Sequence, residues 1–246
     1  TGLKASLKRA WIGFIYRQMA ACLYVGKANA EYFRYHGVND EGNRQRLFFA
    51  PHAIDNGRFM GRSDVAHVQA AAWKAELGIP AHHRVILFAG KFVEKKRPLD
   101  LVRAFQQAQL ADDFPSDVSL LMVGAGPLEA ELRSHTHNNP QIYFAPFQNQ
   151  SMMPRTYAIA DLMVLPSGGA GETWGLAVNE ARCLGKGVIV SDRVGCGADL
   201  VYPGENGLIF PAGNMSALTN CLIAAFRRSD GLQRWGTTSR RIIERY

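Results

Sequence analysis

The sequence predicts an α/β protein built on a doubly wound parallel sheet, and three observations lead there. Short apolar runs at 84–90, 118–124, 142–145, 162–165 and 188–191 lack the alternation of a half-exposed strand, as expected of strands buried on both faces. Helical patterns at 99–110, 128–136, 152–160 and 175–184 separate them, giving successive strand–helix–strand units. The strands run out into glycine or small polar residues: Gly90-Lys91, Gly124-Ala125-Gly126-Pro127, Pro166-Ser167-Gly168-Gly169 and Ser191-Asp192. Right-handed crossovers gather those turns at the carboxyl edge of the sheet, where such folds bind ligands.

The remaining elements follow in order. Leu3, Leu7, Ala10, Trp11, Phe14 and Ile15 recur at helical spacing among Lys4, Lys8, Arg9 and Arg17. A basic amphipathic helix of this kind suits an anionic membrane surface or the flank of a neighbouring domain. A strand at 22–25, a helix at 29–36 stopping at Gly37 and a strand at 47–50 come next. The turn-like Pro51-His52-Ala53-Ile54-Asp55-Asn56-Gly57 opens a linker to about residue 64. A helix at 65–77 ends at Gly78, and Pro98 introduces the helix at 99–110. A short strand at 208–210 and helices at 216–227 and 232–245 complete the chain. The expected division is 1–60, 61–228 and a C-terminal helix at 229–246.

Composition narrows the function classes. With 246 residues, 47% hydrophobic and 20% charged, the chain has the make-up of a soluble globular protein. Its net charge of +7 suits an anionic partner. The basic residues are scattered rather than interleaved with aromatics, which argues against nucleic acid. Cys22, Cys183, Cys196 and Cys221 are too widely spaced for a zinc site or a disulfide framework. Reduced thiols and the lack of a leader or membrane-spanning run point to the cytoplasm, with peripheral contact at the inner membrane face through the basic helix. The chain opens at Thr1 within a helical pattern, as expected of a piece of a longer protein.

The chemistry concentrates in 171–180. Glu172 and Glu180 flank a Trp-Gly-Leu turn. If the chain is helical from Trp174 onward, the eight positions between the glutamates span ~12 Å, about the separation of the two sugars of a nucleotide-sugar. The diphosphate would then meet the amides of Thr173, Trp174, Gly175 and Leu176 at a helix N-terminus. One carboxylate would read hexose hydroxyls and the other ribose hydroxyls. Gly168, Gly169, Gly171 and Gly175 allow close backbone approach. Lys91 and Lys96 would offset the diphosphate charge and stabilise the leaving nucleotide, while Lys95 and Arg97 suit a solvated face. The Gly124-Ala125-Gly126 run lacks the full dinucleotide spacing, so ligand approach and a tight turn both explain it. Phe147-Gln148-Asn149-Gln150 fits a nucleobase edge or an N-capped loop equally. Among the histidines only His52 stands out, and a surface position explains it as well.

Together these segments resemble the C-terminal domain of retaining glycosyltransferases of the GT-B fold, family four, also called glycosyl transferases group 1. The resemblance runs from 84 to 228, through the basic loop 91–97, strand-Gly-x-Gly-Pro-helix at 121–132, Ala160-Asp161-Leu162-Met163-Val164-Leu165-Pro166-Ser167, and 171–180 with its two glutamates. It implies a Rossmann-like donor domain with a remnant of the acceptor-side N-terminal domain at 1–60. There Pro51-His52-Ala53-Ile54-Asp55 stands in for Pro-Asn-Gly-Val-Asp. It implies that Lys91, where Arg is usual, and Lys96 act catalytically with Glu172. Glu180 would bind the ribose, and Gly90, Gly126, Pro127, Phe147, Thr173, Trp174, Gly175 and Leu176 would complete the donor site. Trp174 replaces a common Phe that helps close the pocket. The implied partners are a nucleotide-sugar donor and a carbohydrate or lipid-linked acceptor, with no metal or other cofactor. The implied reaction transfers a sugar with retention, the chain alone being the inactive donor half. A nucleotide-sugar epimerase and a non-catalytic nucleotide-sugar binding module are the competing readings. Glycoside hydrolysis is disfavoured because ~12 Å is too wide for its carboxylate pair.

Overall fold

The computed structural model describes residues 2–39, 46–169, 172–227 and 230–246. It divides into two compact units, Thr1–Ala53 and Ile54–Tyr246.

The first unit contains α1 (Gly2–Arg17), β1 (Cys22–Tyr24), α2 (Lys27–Tyr35) and β2 (Leu47–Phe49). The two strands pair in parallel. Cys22, Val38 and Leu47 form its buried cluster, with Tyr16, Tyr24 and Phe33 packed against it. The Arg46 guanidinium donates to the carbonyls of Tyr16 and Met19, both at 2.8 Å, and so satisfies acceptors at the end of α1. The apolar stripe of α1 does not supply this core. Leu3, Leu7, Trp11 and Phe14 are exposed, and the helix is buried only at Gly13.

The second unit begins with α3 (Asn56–Met60) and α4 (Ser63–Glu76). This corrects the expected linker, since the segment is helical; the division at Ala53/Ile54 falls within the expected boundary region 51–64, ahead of the 60/61 division. Asp55 caps α3 by accepting from the Arg58 amide at 2.8 Å. Asn56 donates to the carbonyls of Ile243 and Tyr246 and accepts from the Cys183 thiol. Turn-forming residues here serve as cap and tether, which composition alone does not separate from a linker.

The remainder is β3 (Arg84–Ala89), α5 (Pro98–Ala108), β4 (Val118–Val123), α6 (Glu129–Thr136), β5 (Ile142–Ala145), α7 (Met153–Ala158), β6 (Leu162–Leu165), α8 (Leu176–Cys183), β7 (Gly187–Ser191), α9 (Gly197–Leu200), β8 (Gly207–Phe210), α10 (Met215–Phe226) and α11 (Gly231–Ile243). All strand pairs of this sheet are parallel, in the order β5-β4-β3-β6-β7-β8. Counted within the unit this is the 3-2-1-4-5-6 order of a doubly wound Rossmann-like fold. β4 and β6 are buried at every residue, which accounts for sequences that are apolar throughout in β6 and apolar but for Ser119 in β4. Helix α11 packs on α8 and β7, with Trp235 and Ile243 buried, and so belongs to this unit rather than standing apart. The expected boundary at 228/229 lies outside the described residues.

The strand order reverses between β3 and β6. The crevice of such a sheet lies at that switch point, beyond the carboxyl ends of the two strands. The loops leaving β3 and β6 therefore define where a site can form.

Candidate functional site

Across the switch point the two loops are joined. The β3 loop closes with a 3-10 turn, Glu94–Lys96, and the Lys95 carbonyl accepts from the Gly168 amide of the β6 loop at 2.8 Å. Beside this bond the Lys96 ammonium donates to Glu172 Oε2, which also accepts from Ser167 Oγ at 3.0 Å. Both members of the ion pair are largely withdrawn from solvent, with side chains 20% and 14% exposed. Arg97 takes a left-handed backbone (φ 50), pairs with Asp100 at 2.6 Å, and lies where a Cβ on Gly168 would stand 2.6 Å from its Cδ. It is a packed residue, which corrects its reading as part of a solvated face.

A cavity of about 450 Å³ opens at the ends of β3, β4 and β5. Gly90, Lys91, Gly126 and Phe147 line it together with Gln148, Gln150 and Met153. Lys91 is exposed and Phe147 is 72% exposed, an aromatic face at the cavity wall. The Gly-x-Gly run is shaped first by backbone packing. A Cβ on Gly124 would stand 1.9 Å from the Gly90 carbonyl, and one on Gly126 2.4 Å from the Phe92 carbonyl. Phe92 and Ala125 share a backbone hydrogen bond of 2.9 Å there. Asn149 caps the turn into α7, accepting from Met152 N at 3.2 Å. The Gln148 carboxamide accepts from Arg155 at 2.9 Å and donates to the Pro146 carbonyl at 2.9 Å. Arg155 is itself held 4.5 Å from the Trp73 ring centroid.

The second glutamate sits on α8. Gly175 enters that helix in a left-handed conformation (φ 96), so the helix begins at Leu176 and not at Trp174. The rise assumed over eight residues applies only from Leu176 to Glu180, and the ~12 Å spacing does not follow from it. Glu180 Oε2 accepts from the Tyr157 hydroxyl at 2.7 Å. Burial raises the Glu180 pKa, opposed by the Tyr157 hydrogen bond and by the positive charge of Arg58. The Arg58 guanidinium donates to the carbonyl of Gln150, a cavity residue, and so links the cavity to the surroundings of Glu180.

Other expected residues fall elsewhere. Trp174 is 2% exposed, donates from its indole to Asn179 Oδ1 at 3.0 Å and lies near Tyr246. Its ring supports the loop from within, which corrects the expectation that it closes a pocket. Thr173 and Leu176 are exposed, Pro127 lies in the exposed turn before α6, and His52 is exposed. Gly171 is outside the described residues. Sequence reasoning missed Tyr157, Arg58 and Ser167. Ser167 was readable from its place at a strand end, whereas Arg58 and Tyr157 reach Glu180 only through the tertiary fold.

A parallel sheet of this order, with a Lys–Glu pair at its switch point and a cavity beyond β3, β4 and β5, defines an α/β protein of Rossmann-like fold. The family model described as "Glycosyl transferases group 1" matches residues 69–242, and the chain belongs to that family. It is 29% identical over 175 residues to D-inositol 3-phosphate glycosyltransferase of Nocardia farcinica (strain IFM 10152), covering 68% of this chain and 38% of the relative. It is 28% identical over 176 residues to phosphatidyl-myo-inositol mannosyltransferase of Mycobacterium leprae (strain TN), covering 69% of this chain and 44% of the relative. The chain thus spans less than half the length of these relatives. Among solved structures it resembles Anabaena Alr3699/HepE in complex with UDP, with TM-score 0.75 at 18% identity over 92% of this chain and 59% of that one. A sucrose-phosphate synthase from Thermosynechococcus elongatus follows, with TM-score 0.70 at 22% identity over 91% of this chain and 53% of that one. At such identities the likeness is one of fold.

Proposed function

We propose that the chain carries the donor half of a retaining glycosyltransferase, a hexosyltransferase that moves a sugar from a nucleoside diphosphate to a carbohydrate or lipid-linked acceptor. The observation that carries this reading is the Lys96–Glu172 pair across the β3/β6 switch point, where a cation for a diphosphate and a carboxylate for sugar hydroxyls stand together. Lys91 and Lys96 bind the diphosphate and stabilise the charge that grows on it as the anomeric C–O bond breaks. Glu172 accepts from hexose hydroxyls near the reacting carbon, and Glu180 from the ribose. Phe147 and the cavity of about 450 Å³ receive the base. The acceptor oxygen attacks the face the diphosphate leaves, and its proton passes to the departing phosphate oxygen. The lysines and the amides ahead of α8 supply the positive field, so we propose a reaction without a metal ion.

The acceptor lies with parts of the protein outside this chain, so the chain alone binds donor without turnover. Its coverage of 38% and 44% of two relatives supports that reading. No helix among the described residues is long and apolar enough to cross a membrane, and all four cysteines are unpaired. The free thiols accord with a cytoplasmic site of action. Because Alr3699/HepE was crystallised with UDP and with UDP-glucose, UDP is the first probe. Calorimetric titration should show UDP binding that weakens about tenfold or more in Lys96→Ala, as expected for loss of a charge-assisted contact. Wild-type affinity in that variant, or no binding of UDP, GDP or ADP at low salt, would sink the proposal.

A further inference from the structure

Tyr157 lies outside the groups assigned to the donor, yet its hydroxyl is directed at one of them. Its side chain is 1% exposed, and its hydroxyl donates to Glu180 Oε2 at 2.7 Å. Helix α8 is buried at Val178, Asn179, Ala181, Arg182 and Cys183, so the Glu180 carboxyl has limited access to water. A carboxylate in such a place needs a donor to remain charged and to keep one orientation.

Among the described residues, two side chains act on its charge. From α7 Tyr157 donates a hydrogen bond, and from α3 Arg58 supplies positive charge. On its own helix Cys183 follows one turn on, its thiol raised to about 12 chiefly by burial and next by the Glu180 charge, and therefore neutral. Tyr157 is well fixed for its task. Its ring lies 6.3 Å from that of Phe59, whose face in turn carries the Arg58 guanidinium at 5.7 Å. Reading a vicinal diol needs acceptor oxygens, ionised and held in one plane. Tyr157 occupies one acceptor position on Oε2 and opposes rotation of the carboxylate.

We infer that Tyr157 is a positioning residue, which holds the Glu180 carboxylate ionised and aimed so that it can read a ribose diol. The inference rests on the donor reading above. Its test compares UDP with 2′,3′-dideoxy-UDP, titrated calorimetrically into the chain, Tyr157→Phe and Glu180→Ala between about pH 5 and pH 8. Tyr157→Phe should weaken UDP about 3- to 10-fold at neutral pH, the range for loss of one ordinary hydrogen bond. The loss should deepen on acidification, because Glu180 without its donor takes up a proton at higher pH. Dideoxy-UDP, with no diol to read, should bind both proteins alike. Unchanged UDP affinity in Tyr157→Phe at every pH overturns the inference. The donor reading then still stands if Glu180→Ala weakens UDP. Equal loss of both nucleotides in Tyr157→Phe also overturns it and leaves the tyrosine a structural part. If Glu180→Ala binds UDP as the parent does, the donor reading fails and the inference with it.

Discussion

Among the described residues Lys96 pairs with the Glu172 carboxylate, and on the proposed reading it must also serve a diphosphate. With Glu172 beside it, binding of a nucleoside diphosphate that carries no sugar must weaken the Lys96–Glu172 pair and bring two like charges together. Glu172→Gln removes both costs. UDP should therefore bind that variant about 3- to 10-fold more tightly, the scale of one partly buried charge interaction. UDP-glucose should gain less, because its hexose hydroxyls lose the stronger acceptor. Titrating both nucleotides into both proteins checks the contrast, and weaker UDP binding by Glu172→Gln refutes it. Glu180 gives a second residue-scale expectation, now for stability. Its pKa is raised by burial, so the folded protein holds the proton more tightly than the unfolded chain. Its contribution to stability is then greatest below the unfolded carboxylate pKa and declines as pH rises through the folded one. Glu180→Gln keeps an acceptor for Tyr157 without the charge. It should melt above the parent near pH 8, by about 2–4 °C per kcal/mol recovered, with the gap closing near pH 4. A gap that widens on acidification would refute this. Glu172, Glu180, Lys91 and Lys96 could be proposed from the sequence because their spacing along the chain sets them apart. Tyr157 and Arg58 were not, since nothing local distinguishes a tyrosine or arginine that meets a carboxylate through tertiary packing.

The loop carrying Glu172 is held by another element, the turn between β7 and α9. Gly195 donates to the Glu172 carbonyl at 3.0 Å, and Cys196 to the Trp174 carbonyl at 2.9 Å. Contact is so close that a Cβ on Gly195 would stand 1.9 Å from the Thr173 carbonyl. The obstacle is backbone, so relief requires the Glu172 loop to move. Gly195→Ala should lower stability by about 1–3 kcal/mol, as overpacking does, and should weaken UDP-glucose binding although residue 195 touches no ligand. Thermal melting and titration together test this, and a variant with parent values for both defeats it. Elements of the sheet were the most legible part of the fold. Strands buried on both faces, such as β4, stand out as runs that are apolar but for one small residue, Ser119. The 3-10 turn at Glu94–Lys96 and the short helices α3 and α9 were missed, because one turn is too short to establish a period. The helix start at Leu176 was misjudged for a different reason: the left-handed Gly175 delays it, and that conformation is set by packing with distant segments.

At the scale of the molecule, the two units differ in how much apolar surface each can bury. Residues 54–246 enclose a six-stranded sheet whose core includes Ile86, Phe88, Phe105, Leu120, Val164 and Ile189. Residues 1–53 bury a cluster of Cys22, Val38 and Leu47, while Leu3, Leu7, Trp11, Phe14, Leu23 and Phe49 remain exposed. A unit of about 60 residues buries only about 60% of its unfolded surface even when well packed, so this one is marginal. The sequence showed the apolar stripe of α1 but not whether this unit would bury it, because helical spacing records which residues share a face and not what covers them. Limited proteolysis should therefore cut first within residues 1–53 and leave a resistant product containing β3 to β8. A ligand bound only by the native second unit stabilises that unit by mass action, about 2.7 kcal/mol at a concentration 100 times Kd. For a unit of this size the corresponding rise in its melting temperature is roughly 5–10 °C. UDP at that concentration should thus slow digestion of the resistant product while the early cuts in 1–53 proceed at their former rate. Mass spectrometry of the fragments over time reads both. Early cleavage inside β3 to β8, or protection confined to residues 1–53, would show that the nucleotide site does not reside in the sheet unit.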